Sequence, residues 1–490
     1  MRILTICAEY APLAKVGGLA DVTAGLSGWL ARRGHEVVVV MPCYGEMRER
    51  GLLADAHAVL GPRPIPGEPG ASYTVYRMAG SDRDGAPQVF LVDAPARFAG
   101  GVYATGDGEA LRFLLLSRAA LELAASAGFR PDILHCHDWH AAAAAIMLKG
   151  ASRDERVFRQ TYTALTIHNI GYQGVFDIDV LRRAGEAGLR ELVAEEGPGA
   201  GRVNFLRAGI LHADVLSTVS PTHAREIQTA QYGMGLDPLL RQRRHRLAGI
   251  LNGVDYAHWD PATDPLLPAR YSVVDLAGKR DCRAALAAEA GLRLEEGLPV
   301  VGMVTRLAQQ KGIDILVHAL PGLLAERNFA CAFLGTGEPG YVSALRGLAA
   351  RFPGRVAFIE AHDERLAHLV YAGSDLFLVP SLYEPCGLTQ MYAMRYGTVP
   401  VVRRTGGLAD TVRHFDPASG SGTGSVFLDA DVGGLDWALR TALDWHAVPG
   451  QWTCLVANGM REDWSWERQG PQYEQLFARL ANGGGASAIS

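Results

Sequence analysis

Residues 381–390 read SLYEPCGLTQ and set a carboxylate (Glu384), a thiol (Cys386) and a glycine (Gly387) just behind the apolar run Leu376, Phe377, Leu378, Val379. A continuous apolar run stopped by Pro380 predicts a buried parallel strand. Open α/β sheets bind their ligands at the carboxyl ends of such strands, so Glu384 is a candidate for gripping a polar substrate. A second stretch, VTRLAQQKG, sets Arg306 and Lys311 across a turn after another apolar run. A planar guanidinium and a compact ammonium so placed suit one diphosphate. As two surface cations at a helix start they would oppose the helix dipole. Near the amino terminus, KVGGLADV places Lys15, Gly17 and Gly18 between a strand and a helix. Backbone N–H groups there can take an anion; the alternative is a plain strand-to-helix turn with a solvated lysine.

Other clusters are weaker. In HCHDWH, His135 and His137 fall on one face of a strand beside Asp138, but no third and fourth ligand follow at a standard spacing, so no metal is expected. His168 and Asn169 of TIHNIGYQG end another strand, where polar side chains suit sugar hydroxyls or a reacting centre. LGTGEPG matches G-x-G-x-x-G, with Glu360 near the position a dinucleotide fingerprint requires. Pro339 inside the motif and a mid-series strand favour a glycine-rich turn over an NAD-type site. The triplets Asp177 to Asp179 and Asp429 to Asp431 read as loop aspartates.

These residues need a scaffold. Apolar runs RILTICA, EVVVVMP, QVFLVDA, DILHCHD, ALTIHNI and DVLSTVS in the first half, and PVVGMVTR, ACAFLGTG, RVAFIEA, DLFLVPS and TVPVVRRT in the second, alternate with helical patterns. That is the pattern of parallel βα units. In a chain of 490 residues, two such series imply an α/β protein of two Rossmann-like, doubly wound domains facing a central cleft. Residues 250–300, rich in Asn, Gly, Asp and Pro, mark the boundary. The alanine run 141–145 reads as a tightly packed helix, residues 459–480 as helix, and 481–490 as a disordered tail. With 48% apolar and 20% charged residues and a net charge of −5, the chain is globular and unsuited to nucleic acid or an anionic membrane as main partner. Seven scattered cysteines without a CxxC pair favour reduced thiols in a cytoplasmic setting. The amino terminus fails as a signal peptide, and no apolar stretch reaches the ~18 residues of a membrane span.

Taken in order, KVGGLADV, HDWH, IHNIGYQG, ILNGVD, VTRLAQQKG, the stretch EPCGLTQMYAMRYGTVPVVRRTGGLADTV and WSWE resemble the bacterial and plastid glycogen and starch synthases over nearly the whole chain. The resemblance implies a GT-B type retaining glucosyltransferase that moves glucose from ADP-glucose to the non-reducing end of an α-1,4-glucan such as glycogen, without a cofactor. It implies an acceptor-side domain over 1–250, a nucleotide-sugar domain over 251–460, and a last helix, 461–480, that returns to the first domain. It further implies that Lys15, the backbone of Gly17 and Gly18, Arg306 and Lys311 bind the donor phosphates. Glu384 would hold the glucose with backbone at Cys386, Gly387 and Leu388, and Thr389 would lie near the phosphates. His168 would sit beside the anomeric carbon, Asn252 near the sugar, and Asp138 on the acceptor side. Three positions depart from the family: Val16 stands for its threonine, His362 for the tyrosine that stacks on the donor base, and the loop after Tyr103 is shorter and lacks Asp-Asn before Arg112.

The chemistry follows from charge. Loss of a nucleoside diphosphate from C1 leaves an oxocarbenium-like sugar and builds negative charge on phosphate, which Arg306, Lys311 and helix-start amides would stabilise without a metal. Same-face attack assisted by the leaving phosphate is favoured, since no motif supplies a carboxylate nucleophile beneath C1. The alternatives are a dinucleotide oxidoreductase, resting on GTGEPG alone, and a non-catalytic glucan-binding protein, suggested by Trp139, Trp259 and WSWE.

Overall fold

Every apolar run named above forms a strand in the computed structural model, which describes residues 1–80, 83–150, 155–193 and 201–482. Contacts divide the chain into two units, one comprising Met1–Gly253 with the residues from Trp466 onward, the other Val254–Ser465.

The first unit carries strands β1 (Arg2–Ile6), β2 (Glu36–Pro42), β3 (His57–Pro64), β4 (Ser72–Arg77), β5 (Gln88–Asp93), β6 (Ile133–His137), β7 (Tyr162–Ile167), the short pair β8 (Val175–Asp177) and β9 (Arg202–Asn204), β10 (Val215–Thr218) and β11 (Leu247–Gly249). Nine of them form one sheet in the order β11-β10-β7-β6-β1-β2-β5-β4-β3. Pairing is parallel from β11 to β5, with Ile3 beside both Val37 and Ile133, and antiparallel at β5–β4 and β4–β3. The chain leaves β1 for β2 on one side and later returns to β6 on the other. The carboxyl ends of β1 and β6 therefore flank a topological switch point, the usual place for a ligand crevice.

β12 (Val300–Val304), β13 (Ala330–Leu334), β14 (Val356–Ile359), β15 (Leu376–Val379), β16 (Val399–Arg403) and β17 (Ser425–Phe427) form the second sheet, in the order β14-β13-β12-β15-β16-β17. All its pairs are parallel. Counted from β12 this is the 3-2-1-4-5-6 order of a dinucleotide-type fold, with its switch point between β12 and β15.

Small residues set the helix spacing. The alanine run lies in helix Asp138–Met147, every residue of which is buried. A Cβ added to Gly209, on helix Phe205–His212, would come within 2.8 Å of the Ala142 methyl. Among the described residues no helix is long and apolar enough to cross a membrane.

The stretch expected as one helix over 459–480 is two. Helix Pro449–Arg461 ends, and helix Trp466–Ala481 begins only after an extended link. The link's backbone bonds outside any helix: Val254 N–H donates to Trp464 O at 2.7 Å, and Trp464 N–H to the Tyr256 hydroxyl at 2.9 Å. Helix Trp466–Ala481 packs on helix Gly18–Arg32. A Cβ on Gly25 would lie 2.0 Å from Trp466 Nε1, and one on Gly470 2.4 Å from the Trp29 ring, so each glycine receives an indole. Of the expected tail 481–490, residues 483–490 lie outside the described residues. Because Trp466 is 2% exposed, Trp466→Ala should cost about 3–5 kcal/mol, read as a lower denaturant midpoint for the first unit. An unchanged midpoint would show that this helix does not hold that unit together.

Candidate active site

In the second unit, Arg306 follows β12 and Glu384 follows β15, so the two flank the switch point. Glu384 is nearly buried; its Oε2 accepts hydrogen bonds from Lys311 Nζ at 2.6 Å and Ser381 Oγ at 2.8 Å. Its Oε1 makes no hydrogen bond among the described residues. Lys311 was expected to face phosphate together with Arg306; here its ammonium is paired with Glu384, leaving two of its three donors to use. The exposed Arg306 guanidinium has no partner among the described residues.

The turn bearing Glu384 is held by backbone and amide contacts. Gln390, fully buried, donates to Gly387 O at 2.8 Å, Cys386 O at 3.2 Å and Thr411 Oγ1 at 3.1 Å. Gln310 donates to Tyr383 O at 3.1 Å, and Gly407 N–H to Glu384 O at 3.0 Å. Gly387 has φ +70°, a left-handed conformation that glycine adopts without strain. Leu388 and Thr389 open the short helix Thr389–Arg395, Cys386 is buried beside them, and His362 lies exposed in the link between β14 and helix Glu364–Gly373.

The glycines of LGTGEPG serve Arg306. A Cβ on Gly335 would lie 1.9 Å from Thr305 O and one on Gly337 2.2 Å from Leu307 O. Leu307 N–H donates to Thr336 O and Glu338 N–H to Leu307 O, both at 2.8 Å. The motif thus receives the loop bearing Arg306, and Glu360 is bound by Arg346. The aspartates of the two triplets cap and turn the chain: Asp431 accepts from Gly434 N–H, and Asp177 from Asp179 N–H, both at 2.8 Å.

In the first unit, the amides at the start of helix Gly18–Arg32 already hold an anion, a carboxylate of the chain itself. Glu9 Oε2 accepts from Val16 N–H at 2.7 Å and Gly17 N–H at 2.9 Å, and Tyr103 donates its hydroxyl to Oε1. A Cβ on Gly17 would meet nothing within 4 Å, so space beside it is open. Lys15 pairs with Asp21 at 2.8 Å, and Gly18 opens the helix. Tyr103 is positioned by Arg112, buried with Glu109 at 3.0 Å and donating to Gly101 O at 2.6 Å, while Glu109 accepts from Ala104 N–H at 2.8 Å. Glu9 and Tyr103 escaped the sequence reading. Their one signal was a carboxylate at the end of β1, just before the glycine pair.

A cluster of imidazoles runs from β6 to the residues after β6 and β7. His135 bonds Thr166 Oγ1 at 2.7 Å, and His137 Nδ1 shares a hydrogen bond with His168 Nε2 at 2.8 Å. Burial lowers the pKa of His135, His140 and His168 to about 3, so all three are neutral at pH 7. Asp138 Oδ1 accepts from His168 N–H at 2.7 Å and Asn169 N–H at 3.3 Å; burial, against these bonds, raises its pKa to about 7. Asn252 is buried with its Oδ1 unbonded among the described residues.

The chain carrying these two switch points has relatives among known proteins. Residues 2–242 match the family described as starch synthase catalytic domain, and 287–445 that described as glycosyl transferases group 1. A glycogen synthase of Anaeromyxobacter dehalogenans (strain 2CP-C) is 44% identical over 98% of this chain and all of its own. One from Paracidovorax citrulli (strain AAC00-1) is 40% identical over 98% of this chain and 96% of its own. The solved catalytic domain of starch synthase IV from Arabidopsis thaliana, bound to ADP and acarbose, is similar with a TM-score of 0.90 and 35% identity, covering 98% of this chain and 99% of that one. The fold and these matches define a GT-B glycosyltransferase. The chain belongs to the glycogen synthase family.

The Glu9 carboxylate is the acceptor that the Val16 and Gly17 amides use. Glu9→Ala should cost about 1–3 kcal/mol through unsatisfied donors and speed amide exchange in peptides spanning residues 12–19, measured by mass spectrometry. Exchange at the wild-type rate would show that the carboxylate does not hold this turn.

Proposed function

We propose that the protein is a retaining glucosyltransferase that extends α-1,4-glucan (glycogen) chains with glucose from ADP-glucose. The observation that carries this reading is the Lys311–Glu384 pair at the second switch point, which Arg306, without a partner among the described residues, also flanks. Arg306 and Lys311 take the donor diphosphate and neutralise the charge that builds as it leaves. Glu384, braced on one oxygen by Lys311 and Ser381, presents the other to glucose hydroxyls and fixes the ring for attack. Cys386, Gly387, Leu388 and Thr389 line the same turn.

Lys15 and the Gly18 amide assist the phosphates; the Gly17 amide, expected to join them, is taken by Glu9. His168 stands by the anomeric carbon as a neutral imidazole; an imidazolium would repel a sugar gaining positive charge. Asn252 offers its unbonded oxygen to the sugar, and Asp138, through the His168 amide, keeps that residue in place on the acceptor side. His362 is the position that meets the donor base. A cytoplasmic setting belongs to the same reading, supported by seven cysteines that all remain free thiols.

Glu384→Gln keeps the size and removes the charge that pairs with Lys311. It should lower kcat by about 10² or more while leaving the circular dichroism spectrum unchanged, and near-normal turnover would remove Glu384 from the mechanism. The donor is tested by glucose transfer to glycogen from ADP-glucose and UDP-glucose side by side, with His362→Tyr as a second arm. We expect higher kcat/KM with ADP-glucose and a lower KM in the variant, since base–aromatic stacking is worth about 1–3 kcal/mol. Equal or higher kcat/KM with UDP-glucose overturns the donor, and an unchanged KM removes His362 from the base.

A further inference from the structure

One cluster in the second unit takes no part in this chemistry. His258, Glu364 and His368 each offer a ligating atom within 4.8 Å of those of the other two. Glu364 and His368 lie four residues apart on helix Glu364–Gly373 and so share a face. His258 comes from the irregular segment after Val254; its Nε2 lies 3.1 Å from Glu364 Oε1, and its ring stands at 83° to that of His368, 5.1 Å away.

His368 is the informative member. It is 0% exposed, with the Trp259 ring stacked on it at 3.9 Å. Its Nδ1 is bonded to Asp264 Oδ2 at 2.7 Å, and the same oxygen accepts from the Tyr396 hydroxyl at 2.6 Å. A carboxylate can only accept from the ring, so in the neutral imidazole the proton sits on Nδ1 and Nε2 carries a lone pair. That Nε2 is buried and has no hydrogen-bond partner among the described residues. A buried acceptor left bare is uncommon and calls for an ion or water. A carboxylate that orients one imidazole nitrogen so the other can bind a cation is the usual outer shell of a metal-ligating histidine.

We propose that His258, Glu364 and His368 form a site for a divalent transition cation of the zinc type. Two imidazoles and one carboxylate suit zinc or cobalt, whereas calcium and magnesium take oxygen ligands. Three protein ligands leave a position for water. The cation ties the segment after Val254 to the first turn of helix Glu364–Gly373. Its role is architectural, and it stands apart from the transfer reaction, whose residues it does not include.

The test uses the full chain, stripped with EDTA and dialysed, then titrated with Zn²⁺ by calorimetry and with Co²⁺ by visible absorption. One ion per chain should bind, with tetrahedral cobalt bands and a rise in Tm at saturating zinc. His258→Ala and Glu364→Gln, both at exposed positions, should each weaken zinc at least 10-fold and abolish the cobalt bands. Both should keep the Tm of the stripped protein and its glucosyl transfer in EDTA. The absence of a stoichiometric site in the wild type, or equal affinity in both variants, overturns the proposal. Neither result bears on the donor chemistry, which is read separately in EDTA.

Discussion

Glu384 can stand where it does because the chain around it has shed its side chains. A Cβ on Gly406 would lie 2.0 Å from Glu384 O, one on Gly407 2.1 Å from Cys386 O, and one on Gly312 2.2 Å from Pro380 O. Backbone therefore packs on backbone on several sides of the turn after β15. The carboxylate emerges at a point set by peptide geometry, with little left to side-chain rotamers. Gly312 follows Lys311 directly, so the contact that seats the turn also delivers the ammonium to the carboxylate. Gly335 and Gly337 repeat the device for the loop that carries Arg306. The Arg306 and Lys311 cations and the Glu384 carboxylate are thus located by exclusion of methyl groups, a rigid form of preorganisation.

The first unit solves a different problem. Its polar groups sit deep, and burial sets the charge of His135, His140 and His168. The imidazoles of β6 and the residues beyond it lose their charge to burial, while Glu9 keeps a full set of donors from two amides and a phenol. Arg112 and Glu109 fold the loop that brings that phenol in, so a shortened loop still reaches the end of β1.

Much of the fold was legible because the central strands are buried on both faces and read as unbroken apolar runs. β3 was not: Gly61, Pro62 and Pro64 make HAVLGPRP look like a loop, and only its place at a sheet edge, paired antiparallel with β4, tolerates the prolines. The three-residue strands β11 and β17 are too short to show a period. In the site, residues at strand ends announce themselves through the abrupt change from apolar to polar. Glu9 does not, because one of its partners, Tyr103, lies 94 residues away. GTGEPG looked like a nucleotide motif because glycine spacing reports where a Cβ is forbidden, and another loop forbids it as effectively as a pyrophosphate.

The second unit enters and leaves through one doorway, since Val254 and Ser465 are paired side by side. The first unit, by contrast, needs residues from both ends of the chain: Trp466 fills the hollows above Gly25 and Gly253, and neither is filled until that residue exists. On the ribosome the order of synthesis and the order of completion are therefore reversed. Residues from Trp466 onward follow all of Val254–Ser465 in the chain, so the first unit is sealed only after the second has been made in full.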